Sequence, residues 1–258
     1  MDLELAGKTV CVTGSSRGVG RGIARAFLRE GARVALTGRD PASLQATAEE
    51  FAGEFGPDAV LPHAGDCGQP DELDRLAGRI EAWAGALDCL VVNIGSGKSV
   101  PVLSEDDAEW RRVLDVNLLS AANAVRGLLP LLEKNPKPGC IVFVSSICGW
   151  ETLGCPTAYA AAKSALNSYA RTIARPLGRR GVRVNVVSPG NVIFPGSTWE
   201  AKMAADAGAV ADMLAREVPL NRLGTLDEIA DVAVFLASPR AAFVHGANWV
   251  VDGGQVRS

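Results

Sequence analysis

Residues 9–30 read "TVCVTGSSRGVGRGIARAFLRE". An apolar run, TVCVT over 9–13, passes directly into a glycine-rich turn and then into an amphipathic helical pattern. Gly14, Gly18 and Gly20 are spaced G-x-x-x-G-x-G. Glycine permits the tight turn, and it lets phosphate oxygens come close to the free amides of a helix N-terminus. Strand, glycine turn and helix in this order open a dinucleotide-binding unit. Gly31, just after ARAFLRE, predicts the helix stop.

The same alternation continues along the chain. Further strand candidates are RVALT (33–37), AVLPH (59–63), CLVVN (89–93), CIVFVSS (140–146), VRVNVVS (182–188) and NWVVD (248–252). Continuous apolar runs of this kind suit strands buried on both faces of a parallel sheet. Helix starts lie between them. Asp40-Pro41 supplies an N-cap and a proline at the first position, 104–107 places acidic residues in a first turn, and Thr225 with Glu228 makes a capping box. The pattern predicts an α/β protein with a doubly wound Rossmann fold, a seven-stranded parallel sheet with helices on both faces, in one domain over 1–258. Residues 189–221 break the rhythm with Gly, Pro and a short helical patch holding Phe194, Trp199, Met203 and Met213. Such an insertion beside the strand ends reads as a lid over a substrate. Pro176 is expected to kink or end the helix that contains it.

Bulk properties narrow the function. With 258 residues, 48% hydrophobic and 21% charged, the chain is an ordinary globular length and composition. A net charge of −3 gives no electrostatic case for nucleic acid or an anionic membrane. The N-terminal MDLELAGKTV does not read as a signal peptide, and no run approaches the ~18–20 apolar residues of a membrane span. The six cysteines are scattered without a C-x-x-C, which points to reduced thiols in a cytoplasmic protein and to no metal site. Cys148 and Cys155 read as packing residues open to thiol reagents.

A second glycine-rich stretch, IGSGKS over 94–99, ends as a P-loop ends. The full G-x-x-x-x-G-K-S/T motif requires its first glycine at the position of Val92, and Pro101 follows where a helix should begin. The ATPase reading fails on both counts. The stretch follows the fourth strand, where open α/β sheets bind ligands, and Lys98 reads as a solvated charge at the rim of that cleft.

Tyr159 and Lys163 in YAAAK stand at i and i+4, on one helix face. A phenol with an ordinary pKa of about 10 is a poor base. A neighbouring ammonium is expected to lower it, which suits the pair to moving a proton onto or off an alcohol oxygen. Ser145 and Ser146 end the fifth strand candidate, with Ser146 thirteen residues before Tyr159, and offer a hydroxyl to a carbonyl. Asn117 lies in an otherwise apolar helical pattern, where a buried amide needs a partner.

With these residues in place the chain resembles the short-chain dehydrogenase/reductase family over essentially its whole length. The motifs that carry the resemblance are TGSSRGVG (13–20), Asp66, NIG (93–95), Asn117, Ser146, YxxxK (159–163), PG (189–190) and VDGG (251–254). It is nearest to the single-domain branch that includes 3-oxoacyl-(acyl-carrier-protein) reductases. The resemblance implies a catalytic set of Asn117, Ser146, Tyr159 and Lys163: Tyr159 as acid or base, Lys163 lowering its pKa and holding the nicotinamide ribose, Ser146 bonding the substrate oxygen, and Asn117 anchoring a water that leads to Lys163. It implies cofactor contacts at Gly14, Ser16, Arg17, Gly18, Val19, Gly20, Arg39, Asp66, Cys67, Asn93, Gly95, Tyr159, Lys163, Pro189, Gly190 and Val192. Asp66 and the Cys67 backbone would meet the adenine, and the Val192 backbone the nicotinamide amide.

NAD-specific members carry an acidic residue at the end of the second strand, about 20 positions beyond the glycines. Here Gly38 stands there, followed by Arg39, and Arg17 adds a second cation. NADP(H) is therefore expected, with NAD(H) as the alternative. The implied activity is hydride transfer between nicotinamide and a ketone or secondary alcohol, on a 3-oxoacyl-thioester-like or small apolar substrate. Trp150, Phe194 and Trp199 are expected to line the substrate pocket beside Ser146 and Tyr159. A non-catalytic NAD(P)-binding regulator is the competing class, disfavoured by the intact Ser146, Tyr159 and Lys163. Two departures stand out. Ile94 replaces a usual alanine, and Phe194 replaces a usual threonine, for which Ser197 or Thr198 are the substitutes. Family members are commonly homotetramers, and the IADVAVFLAS and NWVVDGG segments permit that assembly.

Overall fold

The strands expected from the sequence form a single parallel sheet. A computed structural model describes residues 1–136 and 139–257, so Lys137, Pro138 and Ser258 of the predicted 1–258 unit lie outside the described residues. The strands are β1 (Thr9–Val12), β2 (Arg33–Gly38), β3 (Val60–Ala64), β4 (Cys89–Val92), β5 (Gly139–Val144), β6 (Val182–Pro189) and β7 (Asn248–Val251). Their order is β3-β2-β1-β4-β5-β6-β7, with every neighbouring pair parallel. The order reverses between β1 and β4, which opens a crevice beyond the carboxyl ends of these strands.

Alternation along each strand builds two cores. Val10 and Val12 of β1 face one layer, with Ile23 and Phe27 of α1 (Gly18–Arg29), Leu44 and Phe51 of α2 (Pro41–Phe55), and Ile229 and Val234 of α9 (Leu226–Ala237). Cys11 faces the other, with Leu76 and Ile80 of α3 (Pro70–Ala84), Ala124 and Leu128 of α5 (Ser120–Glu133), and Leu166 and Ala170 of α6 (Thr157–Gly178). The period of two thus turns one strand sequence into the inner wall of both layers.

The ends of elements follow local chemistry. Asp40 accepts the Ala42 N–H at 3.1 Å and caps α2, and the Thr225–Glu228 capping box at α9 is complete. Gly31 has φ +77° just beyond α1, the left-handed geometry that favours glycine. β5 stops at Val144, so Ser145 and Ser146, expected within the strand, project beyond it. The acidic turn begins later than its sequence suggests: α4 is Asp107–Leu114, and its N-cap Asp106 accepts the Glu109 N–H at 2.8 Å. Pro176 lies inside α6, which ends two residues later at Gly178. It therefore ends the helix far from Tyr159.

Residues 189–221 hold two helices where one short patch was expected, α7 (Thr198–Ala205) and α8 (Ala207–Glu217). They have a small core of their own: Val210, Leu214 and Val218, with Trp199, Met213 and Leu223 packed on it. Met203 is exposed. The two ends of the excursion are stitched together where Ile193 N–H bonds Gly224 O at 3.0 Å and Gly224 N–H bonds Asn191 O at 2.8 Å. Among the described residues no helix is long and apolar enough to cross a membrane.

Candidate active site

The turn after β1 is held open by its neighbours. Gly14 has φ +65° and donates its N–H to Thr37 Oγ1 at 2.9 Å. Asn93 reaches across from the end of β4 and donates through Nδ2 to Thr13 O at 3.1 Å and Gly14 O at 3.0 Å. A side chain at Gly20 would run into the Gly14 carbonyl and the Asn93 amide, so only glycine lets α1 start this close to the strand. Arg17 stands at the N-cap of α1 with no side-chain hydrogen bond to the helix. The first amides of α1 are therefore left for an anion.

A cavity of about 750 Å³ lies over this turn. Its walls include Gly14, Ser16, Arg17, Arg39, Asp66, Cys67, Asn93 and Gly95 of the expected cofactor set. Arg17 and Arg39 are exposed, and among the described residues no ion pair engages either. Asp40 lines the same cavity, but its carboxylate is occupied in capping α2. At Gly38 a Cβ would stand 3.0 Å from that of Ser16, which leaves little room for an acidic side chain on β2. Asp66 accepts the Gly68 N–H at 3.0 Å, which fixes the turn at the far wall. Thr37, Ser43, Gln69 and Arg112 also line the cavity, and sequence reasoning did not pick them out. For Thr37 a signal existed: a hydroxyl at the end of an apolar strand, as at Thr13. Arg112 carried none.

At the other side of the crevice stand the residues of the expected catalytic set. Ser146 is buried and accepts the Cys148 N–H at 3.1 Å. Tyr159, on the first turn of α6, shares a hydrogen bond with Ser146. Lys163 is buried one turn further, and its ammonium donates to Val144 O at 3.1 Å. Burial pulls the Lys163 pKa down to about 8, partly countered by Cys148. Burial likewise pushes the Tyr159 phenol above its ordinary value, against the Ser146 hydrogen bond, which lowers it. The lowering by Lys163 expected from the sequence is not found. The Lys163 nitrogen lies 5.9 Å from the centre of the Tyr159 ring and is turned to a carbonyl, so desolvation wins.

Asn117 is fully buried in a π-helical turn, Asp115–Leu119, between α4 and α5. Its amide does find a partner. Oδ1 accepts the Ser96 N–H at 3.0 Å, and Nδ2 donates to Ser96 O at 3.1 Å and Val113 O at 3.0 Å. A Cβ on Gly95 would stand 2.8 Å from Asn117 Oδ1 and 3.2 Å from Lys163 Nζ, so the loop after β4 lies directly on both side chains. Ile94 packs beside Gly14 and against the core. The IGSGKS stretch is pinned to α4 as well: Arg112 donates to Lys98 O at 2.9 Å, and Ser99 to Glu109 Oε1 at 2.7 Å. Arg112 and Ser99 hold the Glu109 carboxyl down to about 2. Lys98 itself is exposed.

The three aromatic residues expected at the substrate take up three separate places. Trp150 donates its indole N–H to Ser188 at 3.3 Å and lines a separate cavity of about 320 Å³ against α6, β6 and β7. Phe194 lies over the glycine turn, its ring 3.0 Å from where a Gly18 Cβ would be. Trp199 packs in the core of the insertion under Lys202, whose nitrogen is 4.4 Å from the ring centre. Ser197, one substitute for the missing threonine, is taken up in capping α7, where it accepts the Phe194 and Glu200 amides at 3.2 and 3.0 Å.

The other expected contacts lie at the end of β6. Gly190 donates to Val251 O at 2.9 Å, and a side chain there would collide with Asp252, which explains why PG and VDGG occur together. Near Val192 the bridge to Gly224 uses Asn191 and Ile193, leaving the Val192 peptide groups out of it. A larger cavity, about 1320 Å³, opens at the opposite end of the sheet among the N-terminal segment and the end of α6, away from all of these groups. Among the described residues no cluster of His, Cys, Asp and Glu could hold a metal ion.

A doubly wound sheet with a phosphate-ready turn at its switch point, and a Ser, Tyr and Lys gathered across the crevice, defines a dinucleotide-dependent oxidoreductase. A family model described as enoyl-(acyl carrier protein) reductase matches residues 14–255. L-fucose dehydrogenase of Mus musculus is 36% identical over 252 residues, covering 96% of this chain and 88% of that protein. The 3-oxoacyl-(acyl-carrier-protein) reductase of Escherichia coli (strain K12) is 32% identical over 252 residues, covering 98% of each. The structure of L-sorbose reductase from Gluconobacter frateurii, complexed with NADPH and L-sorbose, is similar at a TM-score of 0.93 and 30% identity, over 100% of both chains. The chain belongs to the short-chain dehydrogenase/reductase family. It is an oxidoreductase acting on CH–OH or C=O groups with a nicotinamide dinucleotide.

Proposed function

We propose that the protein is an NADP(H)-dependent carbonyl reductase or secondary-alcohol dehydrogenase, with residues 1–258 acting as one unit and 189–221 as its substrate-side cover. The observation that carries the reading is the pairing of two sites. Ser146, Tyr159 and Lys163 meet at the end of β5, and Arg17 and Arg39 stand unpaired in the cavity over the glycine turn. The uncapped start of α1 would hold the diphosphate, the two guanidiniums would hold the 2′-phosphate, and Asp66 with the Cys67 backbone would border the adenine. A bound nicotinamide supplies or accepts the hydride.

Each protein group has one task. Ser146 donates its hydroxyl to the substrate carbonyl oxygen. The Tyr159 phenol, kept neutral by burial, gives that oxygen its proton during reduction and is left as a phenolate, and it is the phenolate that takes the proton back during oxidation. Lys163 holds positive charge beneath the phenol, and Asn117 and Gly95 keep the loop after β4 on top of it. The Tyr159→Phe protein should bind the dinucleotide normally and lose about 10²- to 10⁴-fold in kcat. Near wild-type turnover by that variant would remove Tyr159 from the chemistry.

The substrate is a ketone or its secondary alcohol. Trp150, Phe194 and Trp199 lie apart from one another, which weakens the case for a single aromatic pocket. The names of the fucose dehydrogenase and sorbose reductase favour a hydroxylated carbonyl compound at least as well as a 3-oxoacyl thioester. A panel of ketoses, simple ketones and 3-oxoacyl thioesters with NADPH and NADH separates these classes. Exposed Phe243, and partly exposed Trp249 packed at a 35° tilt on Phe235 with ring centres 5.6 Å apart, favour a homo-oligomer, with the tetramer as the family expectation. Light scattering of the eluted protein should give four times the chain mass of 26.9 kDa, and a monomer would contradict it.

A further inference from the structure

Two thiols stand between the catalytic serine and tyrosine. Cys148 and Cys155 are both partly exposed, whereas Cys11, Cys67, Cys89 and Cys140 are buried. Across the loop that joins β5 to α6 their side chains lie close enough that each thiol is the first influence on the other's proton. Gly154, with φ +70°, provides the turn that brings Cys155 back. Both ends of this loop belong to the site. The Cys148 N–H is the donor to Ser146 Oγ, and Cys155 lies two residues before α6, which carries Tyr159 on its first turn.

The pair is chemically unequal. The Cys155 thiol, the Ser146 hydroxyl, the Cys148 amide and the Lys163 charge draw the Cys148 pKa down to about 7, against burial. Cys155 is pushed up by Cys148 and by burial. One sulfur is thus available as a thiolate nucleophile near neutrality, and the other waits beside it as a thiol. Cys89 and Cys140 are also neighbours, in register on β4 and β5, but they are sealed in the core.

We propose that Cys148 and Cys155 form a modification site for small disulfides, through which the catalytic loop is switched between a dithiol and a disulfide form. The Cys148 thiolate attacks one sulfur of a disulfide R–S–S–R, breaks its S–S bond, and releases RS⁻, leaving Cys148–S–S–R. Cys155 gives up its proton and attacks the Cys148 sulfur. This forms Cys148–S–S–Cys155 and expels the second RS⁻. Two protein thiols are oxidised, and the small disulfide is reduced to two thiols. A disulfide holds its sulfurs at about 2.0 Å, far inside hydrogen-bonding separation. Closure therefore pulls the loop ends together, moves the Cys148 amide off Ser146 and shifts the entry to α6. Loss of turnover on closure rests on the reductase reading given above; the thiol chemistry does not.

The test uses the whole protein with oxidised glutathione under native conditions, read by intact mass and peptide mapping and then by carbonyl reduction. The wild type should lose two hydrogens, carry the link between Cys148 and Cys155, and recover on treatment with dithiothreitol. Cys155→Ser should stop at one glutathione on Cys148, and Cys148→Ser should take up none. A wild type that keeps both thiols free, or links other cysteines, overturns the proposal whether or not the protein has reductase activity. The linked form should reduce carbonyls at least about tenfold more slowly, the scale expected for a small displacement of catalytic groups. The double variant Cys148→Ser/Cys155→Ser should be indifferent to oxidised glutathione. A linked form with undiminished turnover would sink the switch while leaving the reductase standing.

Discussion

The protein has two glycine-rich turns at the same end of its sheet, one after β1 and one after β4, and they do opposite things with their backbones. In the first, Thr37 and Asn93 hold the turn from behind, and the start of α1 carries no side-chain cap. Its amides remain for a ligand. In the second, the Ser96 peptide groups are taken by Asn117, the Lys98 carbonyl by Arg112, and the Ser99 hydroxyl by Glu109. Glycines appear in both because both pass within contact of other atoms. Binding phosphate depends on where the donors are left, and G-K-S at 97–99 leaves none in a helix start.

The sharpest break of this comparison is a methyl group on each turn. At Gly20 it meets a backbone carbonyl, which has no freedom to move away. Gly20→Ala should weaken dinucleotide binding by about 100-fold and cost about 1–3 kcal/mol of stability, the range for overpacking a tight site. At Gly95 the methyl meets the ends of two side chains, Asn117 and Lys163. Gly95→Ala should leave dinucleotide affinity within a few-fold and lower kcat about tenfold, because it disturbs the ammonium beneath Tyr159. Fluorescence titration and steady-state kinetics on both variants decide the matter. Equal losses of affinity would mean that the two turns share one role.

A smaller effect separates the walls of the cavity. Arg39→Ala removes one charge-assisted partner for a 2′-phosphate, so NADPH affinity should fall about 10- to 100-fold. NADH affinity should stay where it is, since Asp40 is occupied with α2 and supplies no replacement for the ribose hydroxyl. Unchanged NADPH binding would make Arg39 an ordinary surface residue and return NAD(H) to favour.

The fold was legible because strand burial on both faces writes itself as runs such as CLVV and CIVFV, and because caps such as Asp40-Pro41 are local. Tyr159 and Lys163 were legible as a pair because i, i+4 on a helix is a statement about space. What could not be read was direction. Trp150, Phe194 and Trp199 look alike in sequence, yet one points behind the loop, one covers Gly18, and one builds the core of the insertion. The electrostatics of Tyr159 were misread for a related reason. Spacing shows that Lys163 is near, but not that its ammonium is spent on Val144 O or that burial outweighs it.

That misreading leads to the smallest effect. Lys163 keeps a charge in a buried place, and its folded pKa is about 8. The unfolded chain holds the same proton up to the ordinary lysine value of about 10.4. Between these values the unfolded state binds more protons, so stability rises with pH there, by at most about 1.4 kcal/mol per unit. Below pH 8 both states are protonated, and the full cost of burying the ammonium is present. Tyr159 works the other way above its ordinary range of about 10, since the folded protein keeps a proton that the unfolded chain gives up. Cys148, lowered by Cys155, adds a rise of the same sign as Lys163, whereas Cys155, raised by Cys148, and Cys11 and Cys67, raised by burial, take stability away above the ordinary thiol range. The lysine part is therefore the difference between two proteins. In urea unfolding between pH 8 and 10, the wild type should gain stability relative to Lys163→Met, whatever the thiols common to both proteins do over that range. The same pH dependence in both proteins would mean that the ammonium is solvated after all, and that the loop after β4 does not seal it as the first turn leaves its own amides open.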